Sequence, residues 1–253
     1  MAGHYSSTAL AAVALGSSIW LPLFLASQGI LMATTPLVAH LVGADKVLET
    51  PKILHQGIFF TLILSVLSVL FLNNCAFIFE WLDVDSTLTQ LTLDYMSATS
   101  WGFPALLFYQ LLRSFIEGHG KTSPSMKIAI LGLLCNIPLN YVLIFGKLGL
   151  PELGSTGCGW AAAIGMWVML LATLVYVTLS PHFREEKLLK NLSVPNIHDL
   201  STFIRLGLPI GVSLLIEVSM FSVIALLLAD LGEVVIASHQ ITLSFTGLIF
   251  MLP

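Results

Sequence analysis

The sequence predicts an all-α polytopic membrane protein, and three observations carry that prediction. Of the 253 residues, 57% are hydrophobic and only 9% charged, with a mean hydropathy of +0.93. Soluble domains carry about 25% charged residues, and no soluble fold of this size hides so much apolar surface. The apolar residues fall into seven runs, at 8–42, 53–79, 91–116, 125–146, 157–180, 203–229 and 234–253. Each is as long as the roughly 20 residues that span a hydrocarbon core. None alternates with a period of two, which argues against barrel strands.

The first run carries Pro22 and Pro36, and the 35 residues from Tyr5 to Ala39 are uncharged. At 1.5 Å per residue such a helix reaches roughly 52 Å, so it must tilt, bend or protrude. Gly43-Ala44-Asp45-Lys46 separates it from the second run, and Asp83-Val84-Asp85-Ser86 precedes the third. The third run ends at Arg113 and Glu117, four residues apart, an ion pair suited to a membrane interface. Gly118-His119-Gly120-Lys121 and Pro151-Glu152-Leu153-Gly154 bound the fourth run. The charge-rich stretch 181–202 is the longest linker and the natural boundary between two helix bundles. The sixth run follows it, with Gly207 and Pro209 near its start.

Charge placement orients the chain. Lys46, Lys52, Arg113, Lys121, Lys127, Arg184, Lys187, Lys190 and Arg205 fall on one set of run ends and loops, and Lys147 alone falls on the other. The basic side is assigned to the cytoplasm. The opposite side holds Glu80, Asp83, Asp85, Glu152, Asp230 and Glu233. The first run must then travel from outside to inside. Residues 1–7 lack the basic region of a signal peptide, so a hydrophobic segment is expected upstream. The last run stops at Pro253 without a charged flank. The expectation is a fragment truncated at both ends.

Several function classes find no support. Ten Lys and Arg in total do not make a nucleic-acid surface. Cys75, Cys135 and Cys158 are isolated, with no metal or redox spacing. Gly120-Lys121-Thr122 looks like the end of a phosphate loop, but the glycine required five residues earlier is Phe115. No HExxH or GxSxG motif occurs. An enzyme is not expected.

The polar residues inside the apolar runs are the functional leads. Glu217 is a lone carboxylate in the 24 otherwise uncharged residues from Leu206 to Ala229. An ionised side chain at that depth costs about 3 kcal/mol or more, so such residues usually face a cavity, a partner or an ion path. Ser213 lies one turn earlier on the same face. Asn136 and Asn140 share a face of the fourth run, with Pro138 between them. The proline lacks an N–H and frees the carbonyl of Leu134. Two amides beside a loosened carbonyl offer oxygens to a hard cation or a proton relay; helix-to-helix hydrogen bonding is the alternative. Gln28, His239 and Gln240 are further cavity-lining candidates.

Six segments stand out in order: Met1-Ala2-Gly3-His4-Tyr5 with Leu10-Ala11-Ala12-Val13, Gly118-His119-Gly120-Lys121-Thr122-Ser123-Pro124, Asn136-Ile137-Pro138-Leu139-Asn140-Tyr141, Gly154-Ser155-Thr156-Gly157-Cys158-Gly159, Gly207-Leu208-Pro209 and Ala237-Ser238-His239-Gln240. In this ordered set the chain resembles the multidrug and toxic compound extrusion (MATE) family, NorM-like branch. The first segment is similar to the start of that family's second helix. The resemblance implies a twelve-helix, two-lobe transporter of which this chain supplies seven helices, the second to the eighth. Residues 1–180 would be the N-terminal lobe without its first helix, 181–202 the cytoplasmic interlobe linker and 203–253 the start of the C-terminal lobe.

The implied activity is cation-coupled antiport, with Na⁺ or H⁺ exchanged for cationic or zwitterionic lipophilic drugs by alternating access. Glu217 matches an acidic position implicated in cation and substrate binding, and Asn136 and Asn140 match polar positions near the first lobe's cation site. The implied setting is a monomer in a bacterial inner membrane, with lipid, drug and coupling cation as partners. No cofactor, and no metal other than a Na⁺ site, is implied. A lipid-linked saccharide flippase or a passive channel is the alternative; the near absence of Lys and Arg within the runs disfavours a phosphate-binding cavity.

Overall fold

The computed structural model describes residues 5–81, 86–149, 151–184 and 197–229. These residues form helices joined by short turns, and no strand occurs among them. The helices are α1 (Ser7–Met32), α2 (Thr34–Gly43), α3 (Thr50–Asn73), α4 (Ala76–Trp81), α5 (Ser86–Ser100), α6 (Phe103–Gly118), α7 (Thr122–Phe145), α8 (Gly154–Leu179), α9 (Pro181–Arg184) and α10 (Ile197–Ala229). Among the described residues, Thr8–Gly43, Val47–Asn73, Thr122–Ile144 and Gly154–Leu179 are each long and apolar enough to cross a membrane. The described residues are thus all-helical, and the chain is a multi-pass membrane protein. The run 234–253 lies outside the described residues, as does most of the stretch 181–202.

The helix breaks have local causes. The long first run divides at Ala33. Pro36 has no N–H to offer the Met32 carbonyl, so the hydrogen-bond ladder lapses there. Ala33 keeps right-handed helical angles, φ −56° and ψ −24°, so the ladder is interrupted without a left-handed turn. Helix α3 stops at Asn73, short of the expected residue 79. The Asn73 side-chain amide donates to the Val69 carbonyl at 2.8 Å and to Ser100 Oγ at 3.0 Å. The Asn74 amide donates to the Leu70 carbonyl at 2.8 Å. These amides close the last turn.

The third run, expected to be continuous over 91–116, is two helices, α5 and α6, that meet at Trp101-Gly102. Pro104 takes the first turn of α6, where a missing N–H is tolerated. A Cβ on Gly102 would lie 2.6 Å from Ala163 Cα and 2.7 Å from Met166 Sδ. Only a glycine lets the junction press against α8. The Trp101 carbonyl, turned out of the ladder, accepts a bond from Trp167 Nε1 at 3.1 Å. The break therefore docks α5 and α6 onto α8.

Helix α7 ends at Gly146, whose φ of 60° is the left-handed cap glycine supplies without strain. The chain then returns as α8, which packs on α5, α6 and α7. One part of the core joins Val38, Leu54, Leu111, Phe115, Ile116 and Leu170. Another joins Leu31, Leu72, Phe79, Met96, Phe103 and Leu107. The outward faces are apolar: Leu62, Leu67 and Leu70 on α3, and Met126, Ile130 and Leu134 on α7, are all exposed. Such belts suit hydrocarbon rather than water.

Two compact units divide between Gly211 and Val212. Within the first unit, Gly207 and Gly211 at the start of α10 meet α1. A Cβ on Gly207 would lie 2.4 Å from the Ile30 carbonyl oxygen, and one on Gly29 2.4 Å from Gly211 Cα. This is a small-xxx-small crossing, the usual way membrane helices bring their backbones together. Of the second unit, the structure describes the remainder of α10, residues 212–229.

Candidate functional site

An open groove of about 300 Å³ lies in the first unit among α1, α6, α7 and α8, where Trp20, Phe24, Asn136, Met166 and Met169 line it together with Leu21, Leu106, Leu133 and the small residues Gly132, Ala162 and Gly165. Each wall has a simple origin. Trp20 and Phe24 are four apart on α1 and so share a face, with ring centroids 6.4 Å apart. Phe24 is braced by Phe103, edge to face at 6.4 Å. Met166 and Met169 are three apart on α8. Gly132 of α7 makes room for the second methionine, since a Cβ there would lie 2.6 Å from Met169 Sδ.

Asn136 supplies the polar side chain of this wall. Its amide nitrogen lies 3.5 Å from the Ala161 carbonyl, at the limit of a hydrogen bond. Asn140 sits one turn further on. Its amide nitrogen donates to the Asn136 backbone carbonyl at 2.9 Å and to Asn136 Oδ1 at 2.7 Å. The two asparagines thus form one unit around Pro138, as their four-residue spacing suggests. Pro138 removes the N–H that would have met the Leu134 carbonyl. The site holds amide and carbonyl oxygens at the edge of an otherwise apolar chamber.

Aromatic faces attract cations by about 0.5–2 kcal/mol, and methionines conform to irregular apolar shapes. Among the described residues, no three His, Cys, Asp or Glu side chains converge as a transition-metal site would require. Oxygen donors near the cavity come from amides.

Asn140→Ala removes both bonds to Asn136. The expected result is a fall of about 2–4 °C in thermal midpoint, from about 1 kcal/mol of lost bonding. Differential scanning fluorimetry of the detergent-solubilised protein measures it.

Gln28 lies on α1 beyond Phe24 and is half-buried. Ser213 and Glu217, in the second unit, are both exposed, and among the described residues no basic side chain pairs with Glu217. His239 and Gln240 lie outside the described residues. Sequence reasoning does not single out Trp20, Phe24, Met166 and Met169. Their i+4 and i+3 spacings are visible, but inside uniformly apolar runs they have no polar contrast.

Comparison with known proteins agrees with this architecture. The family model described as MatE matches residues 1–142. The chain is 43% identical over 253 residues to a multidrug resistance protein NorM of Vibrio cholerae, covering 100% of this chain and 55% of that protein. It is 44% identical over 254 residues to a multidrug resistance protein MdtK of Proteus mirabilis, with 100% and 56% covered. The chain spans about half the length of the curated relatives it matches. Among solved structures, the MATE transporter NorM-NG in complex with rhodamine 6G and a monobody aligns over 100% of this chain and 55% of its own. Its TM-score is 0.78 at 29% identity. The inward-facing conformation of a multidrug resistance MATE family transporter shares the fold, with a TM-score of 0.73 over 82% of this chain and 46% of its own, at 21% identity. A family match over more than half the sequence, with a shared helical fold, has one conclusion: the chain belongs to the MatE family.

Proposed function

We propose that the protein carrying this chain is a cation-coupled multidrug antiporter that exports cationic or zwitterionic lipophilic compounds from the cell. The observation that carries this reading is the open apolar groove, lined in part by aromatic and methionine side chains with the Asn136 amide at its edge, found in a member of the MatE family. The relatives' designation as multidrug resistance proteins supports it. So does the dye complex of NorM-NG, since the rhodamine is a planar lipophilic cation.

In this reading residues 1–180 belong to one lobe, 181–202 form a cytoplasmic linker and 203–253 begin the second lobe. The lobes alternate access to a central path, as transporters built from repeats commonly do. Asn136 and Asn140 contribute oxygens to the cation path in the first lobe. Glu217 supplies the negative charge of the second, with Ser213, Gln28, His239 and Gln240 lining the path. A carboxylate that binds either the coupling cation, Na⁺ or H⁺, or the drug makes the two compete. That competition is a coupling free energy and links their fluxes.

Fluorescence polarisation of the same rhodamine dye with the full-length protein tests the proposal. The dye is expected to bind, and raising either Na⁺ or proton concentration is expected to displace it. Absence of binding, or binding indifferent to both cations, contradicts it.

A further inference from the structure

Tyr95 of α5 is 4% exposed and lies in a notch that only a glycine leaves open. A Cβ on Gly16 of α1 would stand 2.5 Å from Tyr95 Cδ1 and 2.8 Å from its Cε1. The backbone of Tyr95 is held from the other side. Its carbonyl accepts a bond from Thr99 Oγ1 at 2.9 Å. Gly159 of α8 comes so close that a Cβ there would lie 2.6 Å from the same oxygen. Tyr95 is therefore held from two sides, its ring by α1 and its backbone carbonyl by α8.

Trp20 lies one helical turn beyond Gly16 on the same face of α1. Its indole Nε1 donates to the Tyr95 hydroxyl at 3.1 Å, a bond between residues 75 apart in sequence. The indole N–H lies at the ring edge. A bond there restrains ring rotation and leaves the π faces free. Trp20 is also a wall of the cavity that holds Asn136.

We infer that Tyr95 is a positioning residue: its hydroxyl holds the Trp20 indole in the orientation that walls the cavity against a planar lipophilic cation. Gly16 and Gly159 serve the same end, since each lets the phenol or its backbone sit where the bond can form. This rests on the cavity being the binding site proposed above, and the experiment separates the two.

Affinity for the rhodamine dye is measured by fluorescence polarisation on four full-length proteins: unaltered, Trp20→Phe, Tyr95→Phe and the double variant. Trp20→Phe is expected to weaken binding about five-fold, the scale of a partly exposed cation–π contact. Tyr95→Phe keeps the ring in its notch and is expected to weaken binding about three-fold, with a thermal midpoint within about 3 °C of the unaltered protein. In the Trp20→Phe background the Tyr95 substitution is expected to change nothing further, because its effect travels through the indole.

An equal loss in both backgrounds, or no loss in either, overturns the inference. A fall of more than about 5 °C on Tyr95→Phe also overturns it, because Tyr95 would then be a structural strut. If Trp20→Phe weakens binding and Tyr95→Phe does not, the positioning role fails and the cavity stands. If the unaltered protein binds no rhodamine, or Trp20→Phe leaves affinity unchanged, the cavity reading fails and the positioning role with it.

Discussion

Glu217→Gln in the full-length protein is expected to reduce ion-driven drug efflux about ten-fold or more while leaving the protein folded. The magnitude follows from a drug–ion coupling of about 1–3 kcal/mol, which corresponds to factors of 5–150. The amide keeps the shape and hydrogen-bonding reach of the side chain but neither binds Na⁺ by charge nor carries a titrating proton. The thermal midpoint is expected to stay equal or rise. A carboxylate about 12 residues, roughly 18 Å of helix, beyond Arg205 sits in an otherwise uncharged stretch, where ionisation costs stability. Efflux from dye-loaded vesicles and scanning fluorimetry measure the two effects. Normal efflux with normal ion dependence would remove Glu217 from the mechanism. Lost efflux accompanied by a collapsed thermal midpoint would make it a structural residue.

Gly157→Leu is expected to abolish recovery of folded protein. A Cβ at this position would lie 2.5 Å from the Leu143 carbonyl oxygen and 2.8 Å from its carbonyl carbon. Backbone cannot yield as a side-chain tip can, so α8 would have to leave α7. Overpacking of a tight core costs about 1–3 kcal/mol and more where backbone must move. In a membrane the close approach of small residues is itself a main source of helix association. Gly43→Ala is the control, because no heavy atom lies within 4 Å of its added Cβ. Its yield and thermal midpoint are expected to match the unaltered protein. Size-exclusion profiles of the two variants in detergent make the comparison.

Much of this architecture is legible in the sequence, and the reasons are physical. Membrane helices announce themselves by length and hydropathy because water-free backbone must bond internally. Pro36 likewise marks its own break, since a proline cannot donate to the ladder. The junction at Trp101-Gly102 is not legible. Hydropathy runs through it unbroken, and its cause lies across the bundle, in Ala163, Met166 and Trp167. The glycines of Gly154-Ser155-Thr156-Gly157-Cys158-Gly159 are visible as a motif, but their purpose is three-dimensional: Gly157 meets Leu143, and Gly159 meets Tyr95.

The site shows the same division. Asn136 and Asn140 stand out because polar groups contrast with an apolar run, and their spacing correctly places them together. Trp20, Phe24 and Met169 offer no contrast, since aromatic and methionine side chains are ordinary in such runs. Their place around the groove depends on which helix faces which. That information is carried by packing of small residues, such as Gly16 under Tyr95 and Gly132 under Met169, rather than by hydropathy.

In the proposed exchange, a cation moving down its gradient drives a lipophilic cation the other way. The direct measurement is movement of the rhodamine dye in proteoliposomes of the full-length protein under an imposed Na⁺ or pH gradient. The dye is expected to accumulate against its own gradient, to reverse when the ion gradient is reversed, and to leak away when an ionophore collapses that gradient. Dye flux that proceeds equally without any ion gradient would contradict it.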